Sequence, residues 1–130
     1  MEHSPEFVTG SLARADQALR AANTLLEAKL LPDAVSRAYY AMFYAATAIL
    51  YHYGIRTKSH SSAISLFGEH IVKRQLVDKE TGKSLRKAFD MRQQSDYAID
   101  IELTGDTVKG LITAAERFVA QIKLALGLTP

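Results

Sequence analysis

Cysteine is absent from the 130 residues. Its absence excludes a disulfide scaffold, zinc fingers, iron–sulfur ligation and thiol catalysis, and it points to a cytoplasmic setting. A large excess of one charge sign is also missing. At a net charge of +2, contact with nucleic acid has to come from a local patch rather than from the whole surface. No basic segment runs into an apolar stretch and a small-residue cleavage site at the start, so a signal peptide is not expected. Residues 38–55 hold no Asp, Glu, Lys or Arg over 18 positions, close to spanning length. That run carries Tyr39, Tyr40, Tyr44, Tyr51 and Tyr53, whose hydroxyls belong at an interface or inside protein, so no membrane span is expected. Alternating strand patterns, internal repeats and low-complexity sequence are lacking as well. What is present, 48% hydrophobic and 23% charged residues, fits one globular domain over residues 1–130, with residues 1–8 as a flexible tail. A chain of this length supports a real core without metal or disulfide staples.

Apolar periodicity reads helix throughout. Leu12, Ala15, Leu19, Ala22 and Leu26 recur at helical spacing and predict a first helix over residues 9–29. Pro32 suits the first turn of a second helix that runs to about residue 53, where Gly54 supplies a left-handed cap. A Ser/Lys/His-rich connector follows, and Ser61 or Ser62 is placed to cap a third helix bearing Ile64, Phe67, Ile71 and Val72. Residues 78–82 are expected to break it before a fourth helix with Leu85, Ala88 and Phe89. After a turn at 104–106, a last helix carries Val108, Leu111, Ala115, Phe118, Ile122 and Ala125 and stops near Gly127. The expected fold is all-α, an up-and-down four-helix bundle with an additional short helix. The second helix is apolar on two sides: one stripe holds Val35, Tyr39, Met42, Phe43, Ala46, Ile49, Leu50 and Tyr53, the other Arg37, Tyr40, Tyr44, Thr47 and Tyr51. The second stripe needs a cover, either the rest of this bundle or a second subunit, which makes Tyr40, Tyr44 and Tyr51 candidates for a dimer interface.

Charge is unevenly distributed. Residues 54–92 contain nine Lys/Arg against four Asp/Glu, and residues 93–107 hold Asp96, Asp100, Glu102 and Asp106 with no base. The basic stretch is either an ordinary solvated set of helix faces or a surface for a phosphate-bearing partner. Arg92 and Asp96 continue the apolar stripe of Leu85 and Phe89 instead of joining the outer face. They form either an i,i+4 ion pair that knits the helix end or, with Tyr97, a cleft in which the guanidinium fork receives phosphate. The four histidines lack metal-ligand spacing, so no metal site is expected. His60, in Lys58-Ser59-His60-Ser61 beside a helix start, either caps and packs or contacts an anion. Gly82-Lys83-Ser84 is not a phosphate loop, because Val77 stands where its first glycine belongs. Nucleophile elbow, zincin and dinucleotide fingerprints are absent, and no cofactor is indicated.

Three blocks together carry a family resemblance: Ser36-Arg37-Ala38-Tyr39-Tyr40-Ala41-Met42-Phe43-Tyr44-Ala45-Ala46, then Lys58-Ser59-His60 with Phe67-Gly68, then Arg92-Gln93-Gln94-Ser95-Asp96-Tyr97. They resemble the short stand-alone HEPN (higher eukaryotes and prokaryotes nucleotide-binding) proteins, and the likeness spans most of the chain. The resemblance implies a prokaryotic homodimer, the helical half of a toxin–antitoxin-like pair that works with a minimal nucleotidyltransferase. Active relatives cut RNA without metal, using an Arg followed after four to six residues by a His. Here Arg92 matches the Arg, while Tyr97, Ala98 and Ile99 fill the positions where the His would stand. Tyr97, with an ordinary pKa of ~10, is a weak base in its place. The leading expectation is therefore a nucleotide- or RNA-binding and interaction module in which Arg37, Lys58, His60, Arg92, Asp96 and Tyr97 contact the ligand. Two alternatives stay open: a metal-independent endoribonuclease toxin with Arg92 and either His60 or Tyr97 as catalytic groups, and a purely structural helical dimer.

Overall fold

A left-handed residue ends four of the helical segments, and only two of the four are glycine. In the computed structural model, which describes residues 5–97 and 103–129, Gly54 and Gly127 have φ of 80° and 77°, and Lys29 and Gln75 have φ of 64° and 62°. At each, paired backbone bonds close a Schellman motif, as in Leu30 N–H to Leu25 O at 2.9 Å with Lys29 N–H to Leu26 O at 3.0 Å. Between these stops run α1 (Pro5–Glu27), α2 (Leu31–His52), α3 (His60–Phe67), α4 (Lys79–Tyr97) and α5 (Gly105–Ala125), with a π-helical turn at Gly68–Val72 following α3. No strand occurs among the described residues.

Several boundaries differ from the sequence expectation, each for a local reason. The tail expected over residues 1–8 is helical from Pro5 onward: proline's missing N–H costs nothing in a first turn, Thr9 Oγ1 donates to Pro5 O at 3.0 Å, and Val8 is buried. Residues 78–82 do not break the chain but start α4, because Asp78 Oδ1 accepts from Thr81 N–H at 2.8 Å and caps it. Gly82 lies inside that helix, where a Cβ would come within 2.7 Å of Val72 Cγ2. The cap of α3 is Ser59, in a reciprocal capping box with Ser62, rather than Ser61 or Ser62. The third helix widens into the π turn, with Lys73 N–H bonded to Gly68 O at 3.0 Å. Asp100 and Glu102 of the acidic segment, with Ala98 and Ile99, lie outside the described residues.

Cross-helix pairs give the topology. Phe7 at the start of α1 meets Tyr51 at the end of α2, ring centroids 4.3 Å apart. Lys123 Nζ reaches both carboxylate oxygens of Asp16 at 2.9 Å, and Asn23 Nδ2 lies 3.5 Å from Glu116 Oε2. Thus α1 runs antiparallel to both α2 and α5, as in an up-and-down bundle. α2 touches every other element. It can do so because a third face, Ala34, Ala38, Ala41, Ala45 and Ala48, is also fully buried. These short side chains let α1, with buried Ala15, Ala18 and Ala22, approach closely, and a helix apolar all round belongs in the centre. Phe67 and Phe118, 5.3 Å apart, close the side near α3. No helix among the described residues is long and apolar enough to cross a membrane.

Candidate functional site

Tyr39 belongs to the buried stripe of α2 and is fully enclosed. A buried phenol needs a partner, and it finds one 21 residues away: its hydroxyl lies 2.6 Å from Nδ1 of His60. The Ser59 cap makes His60 the first residue of α3, which sets its ring against α2. There it stacks on Phe43 at 4.2 Å and 27°, stands edge-on to Tyr40 at 5.7 Å and faces Phe89 of α4 at 6.5 Å. Arg92, two turns of helix from Leu85, completes the group. Its guanidinium sits 5.7 Å from the Tyr39 ring centre and 5.2 Å from that of Tyr40.

The electrostatics of the cluster follow from burial and that one cation. Burial pushes the Tyr39 phenol well above its ordinary pKa, against the pull of Arg92 and with a smaller push from Tyr40. Burial and then the positive charge of Arg92 hold His60 below its ordinary pKa of 6.5. Tyr39 therefore keeps its proton. Enclosed as it is, the phenol must donate that proton to Nδ1 or leave it unpaired. This fixes the neutral imidazole in the tautomer that carries its own proton on Nε2, a donor.

Arg92 and Asp96 do form the i,i+4 pair, with Nε 3.3 Å from Oδ2 and side chains 22% and 33% exposed. The pair is off the hydrogen-bonding direction, since Nε is buried with no hydrogen bond. The pairing engages the neck of the guanidinium fork, and no hydrogen bond is made by its terminal nitrogens among the described residues. The two sequence readings of Arg92 thus combine: Asp96 holds the side chain inward while its outer end remains available to an anion. Ser95 Oγ, one turn along, is also buried without a hydrogen bond.

The other candidates fall elsewhere. Tyr97 is 80% exposed at the last position of α4, so the structure does not bring it to Arg92. Lys58 is exposed on the connector before α3. Arg37 lies over the ring of Tyr40 at 4.9 Å but opens into a separate cleft between α1 and α2. Tyr40, Tyr44 and Tyr51 are half-buried, and each ring is met by an arginine of the same chain: Arg37 and Arg92 on Tyr40, Arg14 on Tyr44 at 5.3 Å, and Arg56 on Tyr51 at 5.4 Å. No group of three metal-ligating side chains stands together among the described residues. Sequence reasoning missed Tyr39, Phe43 and Phe89 as site residues because their spacing reads as core. The signal was a tyrosine hydroxyl in the interior of the stripe, whose other hydroxyl, on Tyr53, stands at the exposed end of α2.

Comparison with known proteins bears on this arrangement. A model of the HEPN domain matches residues 8–124. A Methanocaldococcus jannaschii protein named "Putative toxin MJ0605" is 38% identical over 121 residues, covering 93% of this chain and 90% of its own. A UPF0332 protein of Thermotoga maritima is 36% identical over 110 residues, 85% and 83% of the two chains. A second M. jannaschii protein, "Putative toxin MJ0142", is 30% identical over 112 residues, 86% of this chain and 76% of its own.

Proposed function

The chain belongs to the HEPN domain family, and from that premise we propose that it is a toxin-like RNA-binding module whose phosphate contacts are Arg92 and His60. The observation that carries this reading is the convergence of His60 and Arg92, from α3 and α4, on the buried Tyr39. Arg92 offers charged donors, and His60, neutral and protonated on Nε2, offers another. Both suit an anion such as a phosphodiester, and Asp96 keeps Arg92 in place. The names of the M. jannaschii relatives support a toxin-like role, and the family resemblance supports a homodimer that works with a minimal nucleotidyltransferase. Within that dimer Tyr51, with the 42% exposed Phe7 beside it, supplies the contact, while Tyr40 lies under Arg92 and Tyr44 lines the cleft between α1 and α2. Co-purification from the native organism is expected to recover the nucleotidyltransferase; its absence counts against that partnership.

A second reading, metal-independent cleavage of RNA, is favoured by one fact: His60, a histidine from another segment held below its ordinary pKa, shares the Tyr39 and Tyr40 cluster with Arg92. Cleavage would require Nε2 to accept a proton from the ribose 2′-hydroxyl, and so the opposite tautomer, with Nδ1 donating to the Tyr39 oxygen. The deciding experiment incubates purified protein with mixed RNA in EDTA and measures binding and cutting together. Arg92-dependent binding without cutting is the expected result. Removal of a charge-assisted hydrogen bond worth about 1.5–3 kcal/mol in Arg92→Ala should weaken binding by roughly ten- to a hundredfold. Cutting that disappears in both Arg92→Ala and His60→Ala establishes the nuclease instead. Binding unchanged in Arg92→Ala refutes the site.

A further inference from the structure

Arg14 of α1 and Arg37 of α2 line one cleft of ≈ 280 Å³, together with Gln17, Ala18, Ala21 and Tyr44. No carboxylate borders it, and neither arginine has an ion-pair partner among the described residues. Arginines left without acids on a folded surface are usually solvated and mobile, but these two are held. Arg14 rests over Tyr44 at 5.3 Å and Arg37 over Tyr40 at 4.9 Å, so their planes are oriented before any ligand arrives. Alanines 18 and 21 leave room between them.

Ring contacts join the lining of this cleft to the Arg92 cluster. Tyr44 and Tyr40 are neighbours, ring centres 5.9 Å apart, and Tyr40 carries Arg37 and Arg92 at 4.9 and 5.2 Å. Arg14 thus lies on Tyr44, and Arg37 and Arg92 both lie on the adjoining Tyr40: three cations around a pair of half-buried rings. Cations set around aromatic rings are what a single strand of nucleic acid uses, phosphates on guanidinium groups and bases against rings.

We infer that Arg14 and Arg37 form a second phosphate subsite, which receives the backbone of a single-stranded RNA on the flank of the segment held at Arg92 and His60. The inference rests on the reading of the Arg92 cluster as an RNA contact. An acidic protein surface could meet two arginines as well, but it has no use for the paired rings, and the link through Tyr40 to Arg92 gives a strand a path.

The test uses the full chain as wild type, Arg14→Gln/Arg37→Gln, Arg92→Gln and, as a charge control, Lys83→Gln/Lys87→Gln. All are first shown to unfold at similar temperatures. Binding of a labelled single-stranded RNA oligonucleotide and of a dinucleotide is measured across a salt series. The Arg14/Arg37 variant is expected to bind the long strand roughly tenfold more weakly, with a salt slope shallower by about 0.7 for each phosphate it no longer neutralises. Its dinucleotide binding stays at the wild-type level, while Arg92→Gln weakens both ligands. Long-strand affinity and slope equal to wild type in the Arg14/Arg37 variant overturn the subsite, even where Arg92→Gln still weakens binding and the Arg92 reading survives. An equal weakening in the lysine control overturns it too, by reducing it to net charge. Unchanged RNA binding with loss of self-association or of a co-purifying protein reassigns the cleft to a protein contact. Failure of the wild type to bind RNA at low salt removes both readings together.

Discussion

His60 shows how one side chain is tuned by its surroundings. Its folded pKa lies below the ordinary 6.5 because burial, and then Arg92, disfavour the charged form. The unfolded chain therefore binds this proton more readily than the folded one, so stability is fully present above pH 6.5 and falls as pH drops below it. Chemical denaturation of the wild type is expected to show a lower midpoint at about pH 5.5 than at about pH 7.5, and His60→Gln should flatten that part of the curve. A wild-type curve level through this range, or an undiminished slope in the variant, refutes the assignment. The Tyr39 hydroxyl is coupled to the same event, since protonation of Nδ1 removes its acceptor. Arg92 and Asp96 were legible as inward residues from their place on the stripe of Leu85 and Phe89. Their partners were not, because helical spacing ranks Tyr39 with Met42 and Ala46 and says nothing of where a ring from another segment will lie.

At the scale of the element, glycine carried different meanings at different positions. Gly54 and Gly127 occupy left-handed turns, the role their place after an apolar stripe predicts. Gly82 looks like a breaker in sequence, yet it lies within α4 because that helix passes so close to the π turn. A Cβ there would meet Val72 Cγ2 at 2.7 Å, and valine's branched side chain cannot rotate away freely. Gly82→Ala should therefore destabilise by about 1–3 kcal/mol despite alanine's better helix propensity, and Val72→Ala in the same chain should recover much of the loss. Equilibrium urea unfolding of the single and double variants checks this; a stabilised Gly82→Ala would show that the helices separate readily. Lys29 and Gln75 end helices without glycine's advantage. Nothing in their residue type announces it, and the turns form because the adjoining helices pack.

For the whole molecule, the central position of α2 leaves Tyr40, Tyr44 and Tyr51 half-buried under arginines of their own chain, which closes part of the second stripe without a partner subunit. The remaining exposure at Phe7, beside Tyr51, is where a second copy is expected. Sedimentation should report a homodimer, and Tyr51→Glu should yield a folded monomer; a wild type that stays monomeric at all concentrations refutes the dimer. By itself the sequence determined the helical class, the number of long helices, the two apolar sides of α2 and the inward turn of Arg92 and Asp96. These follow from the 3.6-residue period and from the apolar stripes that each helix must bury. Only the tertiary structure decided that His60 would meet Tyr39 and Arg92, that Tyr97 would face solvent, and that Arg14 would share a cleft with Arg37. Those outcomes depend on where a capped connector and three separate helices converge, and periodicity along one element carries no information about its neighbour's rotation or distance.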